Sequence, residues 1–133
     1  MGEFVKFICG VCQHEQMILW GGGWHMITQD NLVDSLRESK ELMHEVSLIL
    51  QKKDAVLECA ICMGYYCPIC YVWYTHLDFT IVTKNITFTP RYQCPKCHHY
   101  LRRVLYENYE ESPWQCKKCG CTGKMTTVVG DWD

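Results

Sequence analysis

The sequence predicts a small α+β fold that bound metal holds together, and three observations carry that prediction. Eleven of the 133 residues are cysteine, and ten of them fall into five C-x-x-C pairs. The last two pairs, Cys94/Cys97 and Cys116/Cys119, are separated by eighteen residues, a spacing that reads as one four-cysteine zinc site. One stretch, 28–54, has the periodicity of a long helix, whereas its flanks alternate as short strands. The expected organisation is a knuckle module over 1–76 with an amphipathic helix inserted at 28–54, a β-hairpin connector over 77–90, and a C-terminal β unit over 91–130.

The metal reading follows from local geometry. Two cysteines three apart let a tight turn aim both sulfurs at one ion, and a second such turn completes the tetrahedral shell that Zn²⁺ favours. Pro95 and Gly120 suit these turns. The odd cysteine count, the pairing and the absence of a signal-like apolar segment near Met1 point to thiolates in a reducing, intracellular compartment rather than to disulfides. No apolar run reaches the length of a membrane span, Lys6 breaks the myristoylation pattern, and the sequon at Asn85 is expected to be idle.

In chain order, residues 4–8 read as a strand leading into the Cys9/Cys12 knuckle, and the glycines at 21–23 as a turn without nucleotide-loop spacing. The helix over 28–54 has Thr28 as N-cap, Asp30 and Asp34 near its start, and Lys52 and Lys53 near its end. Its stripe is Leu32, Leu36, Leu42, Met43, Val46, Ile49 and Leu50, with Arg37, Glu38, Lys40, Glu41 and Glu45 opposite. That stripe serves either to pack on the metal modules or to dock a partner, including a second copy. Residues 77–89 alternate as a hairpin about Lys84-Asn85. Further on, a strand over 100–106, a polar tip over 108–113, a return strand into Cys116, a last strand over 124–129 and a mobile tail over 131–133 are expected.

With its CPKC and CKKCG knuckles, the C-terminal third resembles the zinc-ribbon superfamily. The resemblance implies one zinc held by Cys94, Cys97, Cys116 and Cys119, and a setting in transcription or other nucleic-acid machinery. Upstream, Cys59/Cys62 and Cys67/Cys70 resemble the middle of a FYVE-type cross-brace finger, which would join Cys9/Cys12 to Cys67/Cys70 and Cys59/Cys62 to Cys94/Cys97. The basic stretch such fingers use on phosphoinositides is missing. The preferred division keeps the ribbon and joins Cys9/Cys12 to one central pair. The remaining pair then needs Cys121 or a histidine, with His14, His25, His76, His98 and His99 available. Three zinc ions are expected, or two if the cross-brace forms.

For function, no H-E-x-x-H, deaminase H-x-E, nucleophile elbow or Walker pattern is present, so a non-catalytic module is expected. Redox chemistry would need a thioredoxin-like context that the sequence lacks, although an S₄ site suits iron as well as zinc. Glu110 and Glu111 resemble the acidic hairpin tip of polymerase cleavage-factor ribbons, with a solvated tip as the simpler reading. Net charge is −2, yet 91–124 holds seven Lys or Arg against three Glu, and 29–58 is acidic. Arg91, Lys96, Arg102, Arg103, Lys117 and Lys118, interleaved with tyrosines, are the expected nucleic-acid contacts. Aromatic-rich protein–protein docking is the other expectation. The expected role is therefore a zinc adaptor within a macromolecular assembly.

Overall fold

A computed structural model describes residues 2–22, 27–36, 39–123 and 125–132. Antiparallel sheet dominates it. The strands are β1 (Gly2–Cys9), β2 (Glu15–Gly21), β3 (Val56–Tyr66), β4 (Trp73–Val82), β5 (Thr87–Phe88), β6 (Arg102–Val104) and β7 (Met125–Trp132). Hydrogen-bonded neighbours run β5-β4-β3-β2-β1-β7, and β6 pairs with β3. The helices are short: α1 (Leu32–Ser35), α2 (Lys40–Leu50) and a 3-10 helix (Tyr106–Glu111).

The chain forms two compact units, and β3 and β4 run through both. The first comprises Met1–Trp24, Cys62–His76 and Arg91–Asp133. Its core is aromatic. On β1 the alternation Val5, Phe7, Cys9 turns one face inward, and all three side chains are buried. Phe7 lies between Trp73 and Trp114, with ring centroids 5.7 and 5.9 Å away. Trp20 donates its indole N–H to the Val104 carbonyl at 2.8 Å. Gln16 donates to the Trp73 carbonyl at 2.6 Å and accepts from the Trp114 indole at 3.4 Å, so two tryptophans are tied to one strand. Gly64 is the close approach in this packing. A Cβ there would stand 2.4 Å from Trp20 Cζ2. Gly64→Ala is therefore expected to lower stability by about 1–3 kcal/mol, the usual cost of overpacking, read as a lower melting temperature of the metal-loaded protein.

The second unit comprises His25–Ile61 and Leu77–Pro90. Within it, β4 and β5 form a hairpin, Ile81 opposite Phe88, closed by Thr83, whose hydroxyl accepts the Ile86 amide at 3.0 Å. Leu32, Leu36, Leu42, Val46, Phe79 and Ile81 are buried.

Several expectations are corrected here. The long helix over 28–54 does not form, and with it goes the α+β assignment and the continuous helical surface for self-association. The chain instead makes a turn in which the Thr28 amide donates to Asn31 Oδ1 at 2.7 Å and the Asn31 amide donates to the Thr28 carbonyl, and then α1. It restarts at Ser39, which caps α2 by accepting the Leu42 amide. The side chains of Asn31 and Ser39 compete for backbone N–H groups, so the run is split by two turn-forming polar residues. Lys52 and Lys53 lie beyond the last turn of α2. The C-terminal ribbon does not form either. After Tyr100 the chain makes β6, which pairs with β3 rather than with a return strand, and 106–111 coil into the 3-10 helix. The expected mobile tail is sheet instead: β7 runs to Trp132, whose indole N–H lies 3.0 Å from the Glu3 carbonyl and 2.9 Å from that of Trp20. Readings that involved Gly23, Trp24, His25, Arg37, Glu38, Lys124 and Asp133 lie outside the described residues.

Candidate metal centres

Four of the five C-x-x-C pairs adopt one and the same local structure. In each, the first cysteine donates its amide to the carbonyl five residues on and accepts at its own carbonyl from the amide four residues on. These pairs of bonds are Cys9–His14 and Gln13–Cys9 (2.9 and 3.1 Å), Cys67–Val72 and Tyr71–Cys67 (3.0 and 2.9 Å), Cys94–His99 and His98–Cys94 (2.8 Å each), and Cys116–Cys121 and Gly120–Cys116 (3.0 and 2.9 Å). The residue after each second cysteine takes positive φ: Gln13 65°, Tyr71 59°, His98 63° and Gly120 75°. Three of these four are not glycine, so the left-handed conformation is imposed by the turn rather than by residue preference. The loop also turns amide N–H groups toward the first sulfur, as Val11 does to Cys9 and Cys70 to Cys67.

The knuckles pair in a nested order, first with fourth and second with third. One centre comprises Cys9, Cys12, Cys116 and Cys119, and the other Cys67, Cys70, Cys94 and Cys97, with the four sulfurs of each within 4.8 Å of one another. Individual separations are 3.6 Å for Cys9–Cys119, 3.5 Å for Cys12–Cys116, 3.5 Å for Cys67–Cys97 and 3.9 Å for Cys70–Cys94. A tetrahedron with metal–sulfur bonds of about 2.3 Å has sulfur–sulfur edges of about 3.8 Å, whereas a disulfide needs about 2.05 Å. All eleven cysteines are free thiols. Each set fits a tetrahedral ion and neither fits a disulfide.

The electrostatics of each set are those of crowded thiols. Amides of Cys12 and Val11 aimed at Cys9 bring its thiol down to about 6. At Cys94 burial opposes ionisation, but amides of Cys97 and Lys96 prevail and bring it to about 6. Burial and the adjoining thiols of Cys97 and Cys94 push Cys70 up to about 12. At Cys119 the Cys121 amide pulls downward, yet burial and the sulfurs of Cys9, Cys12 and Cys116 push it up to about 12. In each set, then, some thiols ionise readily at the expense of neighbours. Four thiolates at such distances need a cation to coexist.

Sheet register explains the nesting. β7 pairs with β1 so that Met125 stands opposite Cys9, which brings Cys116 and Cys119, a few residues upstream, to the first knuckle. β6 pairs with the end of β3 so that Arg102 stands opposite Tyr66, next to Cys67, which brings Cys94 and Cys97 to the second knuckle. Both the shared ribbon site and the cross-brace are thus replaced. The separate pairing of Cys9/Cys12 with a central pair is replaced as well.

Cys59 and Cys62 belong to neither centre. They lie in β3, where residues three apart project to opposite faces, so they do not converge on one ion. The third site therefore has no place among the described residues. His14, His76, His98, His99 and Cys121 are also outside both sets. His14 and His99 contribute carbonyls to their knuckles, and His76 stacks on Tyr92 at 4.1 Å and 7°. A signal for the true knuckles was present in the sequence. Each has an aromatic residue two before its first cysteine: Phe7, Tyr65, Tyr92 and Trp114. The fifth pair has Leu57. These rings meet beneath their centres, Phe7 on Trp114 and Tyr65 on Tyr92, the latter with centroids 5.0 Å apart.

The surroundings of the second centre are apolar and aromatic. Cys67, Val72 and Cys94 form a buried cluster against which Tyr74 and Leu101 pack. The Tyr74 hydroxyl contacts Cys94 Sγ at 3.9 Å, and Lys117, from the other centre's knuckle, places its ammonium 4.0 Å above the Tyr74 ring. Gln115 donates to the Tyr71 carbonyl at 2.7 Å, a second link between the two centres. Among the cations expected to touch nucleic acid, Arg102 and Arg103 separate. Arg103 stands opposite Tyr65 and shares its face with the Tyr65–Tyr92–His76 stack, whereas Arg102 stands opposite Tyr66 on the other face. Arg91 lies 3.8 Å above the Tyr100 ring. Glu110 and Glu111 are exposed on the 3-10 helix rather than at a hairpin tip. No helix among the described residues is long and apolar enough to cross a membrane. No protein-family model matches the chain, and no curated protein or solved structure is significantly similar to it.

Proposed function

We propose that this protein is a non-catalytic, zinc-stabilised adaptor that docks into a macromolecular assembly handling nucleic acid. The observation that carries this reading is the make-up of the two centres. Each is a closed set of four cysteines, and a tetrahedral ion so held keeps no open position for substrate or water, which is the signature of a structural site. Zinc is preferred over iron because the role is folding, and a d¹⁰ ion serves it without redox chemistry. Thiolate ligation supports a reducing compartment as the working environment.

The nucleic-acid part of the reading rests on the surface beside the second centre. Segments 62–76 and 91–106 contain Arg91, Lys96, Arg102 and Arg103 and no acidic residue. Tyr100, half exposed beneath Arg91, offers a ring to unpaired bases, and the part-buried His76–Tyr92 stack lies in the same segments. Arg91, Lys96 and Arg103 act as phosphate contacts. Lys118 extends the same positive field, while Lys117 is committed to Tyr74. Arg102, on the opposite face of β6, stands apart. The test is binding of a fluorescent single-stranded oligonucleotide over a series of salt concentrations. Arg91→Ala with Arg103→Ala should weaken binding and reduce the salt slope by about 0.7 per lost phosphate contact, whereas Arg102→Ala should leave the slope near the parent's. An unchanged slope in the double variant would move the docking role to protein partners, for which the exposed knuckle tips Val11 and Ile69 are the natural contacts.

A further inference from the structure

Among the described residues no strand pairs with the outer edge of β7, an arrangement that natural sheets usually avoid. Its eight residues, MTTVVGDW, include no proline, no lysine and one charge, Asp131. Neither proline nor short length blunts this edge, and its one charge, Asp131, stands opposite Glu3 near the end of the strand. By contrast, β5, the last strand at the other end of the order, has two residues.

The inner layer of the first unit also stops short of this strand. Direct partners across an antiparallel ladder share a face, so Met125, Thr127 and Val129 lie on the same side as Cys9, Phe7 and Val5. The three β1 residues are at most 1% exposed, yet Val129 is 50% exposed and Met125 36%. On the other face Val128 is 47% exposed. Met125, Val128, Val129 and the free edge of β7 are therefore exposed together, although the Phe4 ring lies against Gly130 and Tyr109 reaches Thr127.

We propose that β7 pairs antiparallel with β7 of a second copy of this chain, forming a two-fold dimer through a continuous sheet. The strand is its own complement. A two-fold axis normal to the sheet, passing through Val128 or through Val129, pairs seven of the eight residues. It sets valine against valine and keeps Asp131 opposite Met125 or Thr127, never opposite its own copy. Because such an axis preserves the faces of the sheet, each inner layer continues into that of the other copy, and Val129 and Met125 gain the cover they lack. A charged peptide would find one matching group on this strand, which is why a like strand is the better occupant.

The test uses the full, metal-loaded chain. Light scattering after size exclusion and native mass spectrometry should show a monomer–dimer equilibrium that shifts with protein concentration. Hydrogen exchange should slow with concentration at residues 125–132. Val128→Lys with Val129→Lys sets like charges against one another in either register and should weaken dimerisation about tenfold or more. Its metal content and near-UV dichroism should match those of the parent, because both side chains are already exposed. A parent that stays monomeric at every concentration would overturn the proposal. So would a dimer as tight in the double-lysine variant, or concentration-dependent protection confined to another strand.

Discussion

Cys116→Ser will remove the same metal ion that Cys9→Ser removes, and Cys94→Ser the same ion as Cys67→Ser. The parent should carry two ions per chain by native mass spectrometry and elemental analysis, and each of these variants one. Combining Cys9→Ser with Cys116→Ser should cost no second ion, whereas combining Cys116→Ser with Cys94→Ser should leave none. Cys59→Ser with Cys62→Ser should keep both ions, because β3 sends these side chains to opposite faces. The consequence for folding is large. Structural zinc contributes about 10–16 kcal/mol of apparent binding free energy in finger peptides, more than the whole stability of an ordinary domain. Stripping both ions with a strong chelator should therefore abolish near-UV dichroism. Retained dichroism after verified metal removal would contradict a structural role, and a shared loss between Cys94 and Cys116 would contradict the nested pairing.

The second large effect is expected at Phe7. Phe7→Ala should destabilise the metal-loaded protein by about 3–5 kcal/mol, since it deletes a fully buried ring held between two tryptophans. Its position adds a consequence that an ordinary core truncation lacks. Phe7 shares its strand face with Cys9, and its stacking partner Trp114 precedes Cys116 by two residues. The stack thus sets the spacing of the two knuckles at the first centre. Competitive chelation should consequently extract the ion of Cys9 and Cys116 from the Phe7→Ala variant more readily than that of Cys67 and Cys94. Equal extraction from both centres would show that the stack stabilises the unit without positioning the ligands.

The repeated aromatic residue before each knuckle suggests how so short a chain supports this arrangement. Each centre joins a hairpin knuckle, at the β1–β2 or β3–β4 turn, to a loop knuckle flanked by a single bridge, Gln93 with Tyr100 or Gln115 with Thr122. Each has one pair of stacked or edge-on rings below it. The apolar layer adjoins the two cysteine sets, so ions held there and the rings would stabilise the same contacts. This economy fits a unit whose 3-10 helix contributes Tyr106 and Tyr109 to the layer around Trp20.

What the sequence determined by itself was local. Metal chemistry was legible from the cysteine spacing, because a C-x-x-C knuckle closes within six residues through hydrogen bonds that need no distant partner. The hairpin of Ile81 and Phe88 was legible for the same reason, its strands alternating about a tight turn. The pairing of the knuckles was decided by tertiary structure. Cys9 and Cys119 are 110 residues apart, and they meet because β7 runs along β1 with Met125 opposite Cys9. The same kind of long-range register overrode the ribbon spacing of Cys94 and Cys116, since β6 gains partners on β3 that a local return strand would have had to supply. It also drew Cys59 and Cys62 into a strand, where an identical spacing has the opposite geometric meaning. Turn chemistry at Asn31 and Ser39 outweighed the apolar period that suggested one long helix. Periodicity records which side chains seek cover, but the hydrogen-bonding partners of the backbone settle the shape in which they find it.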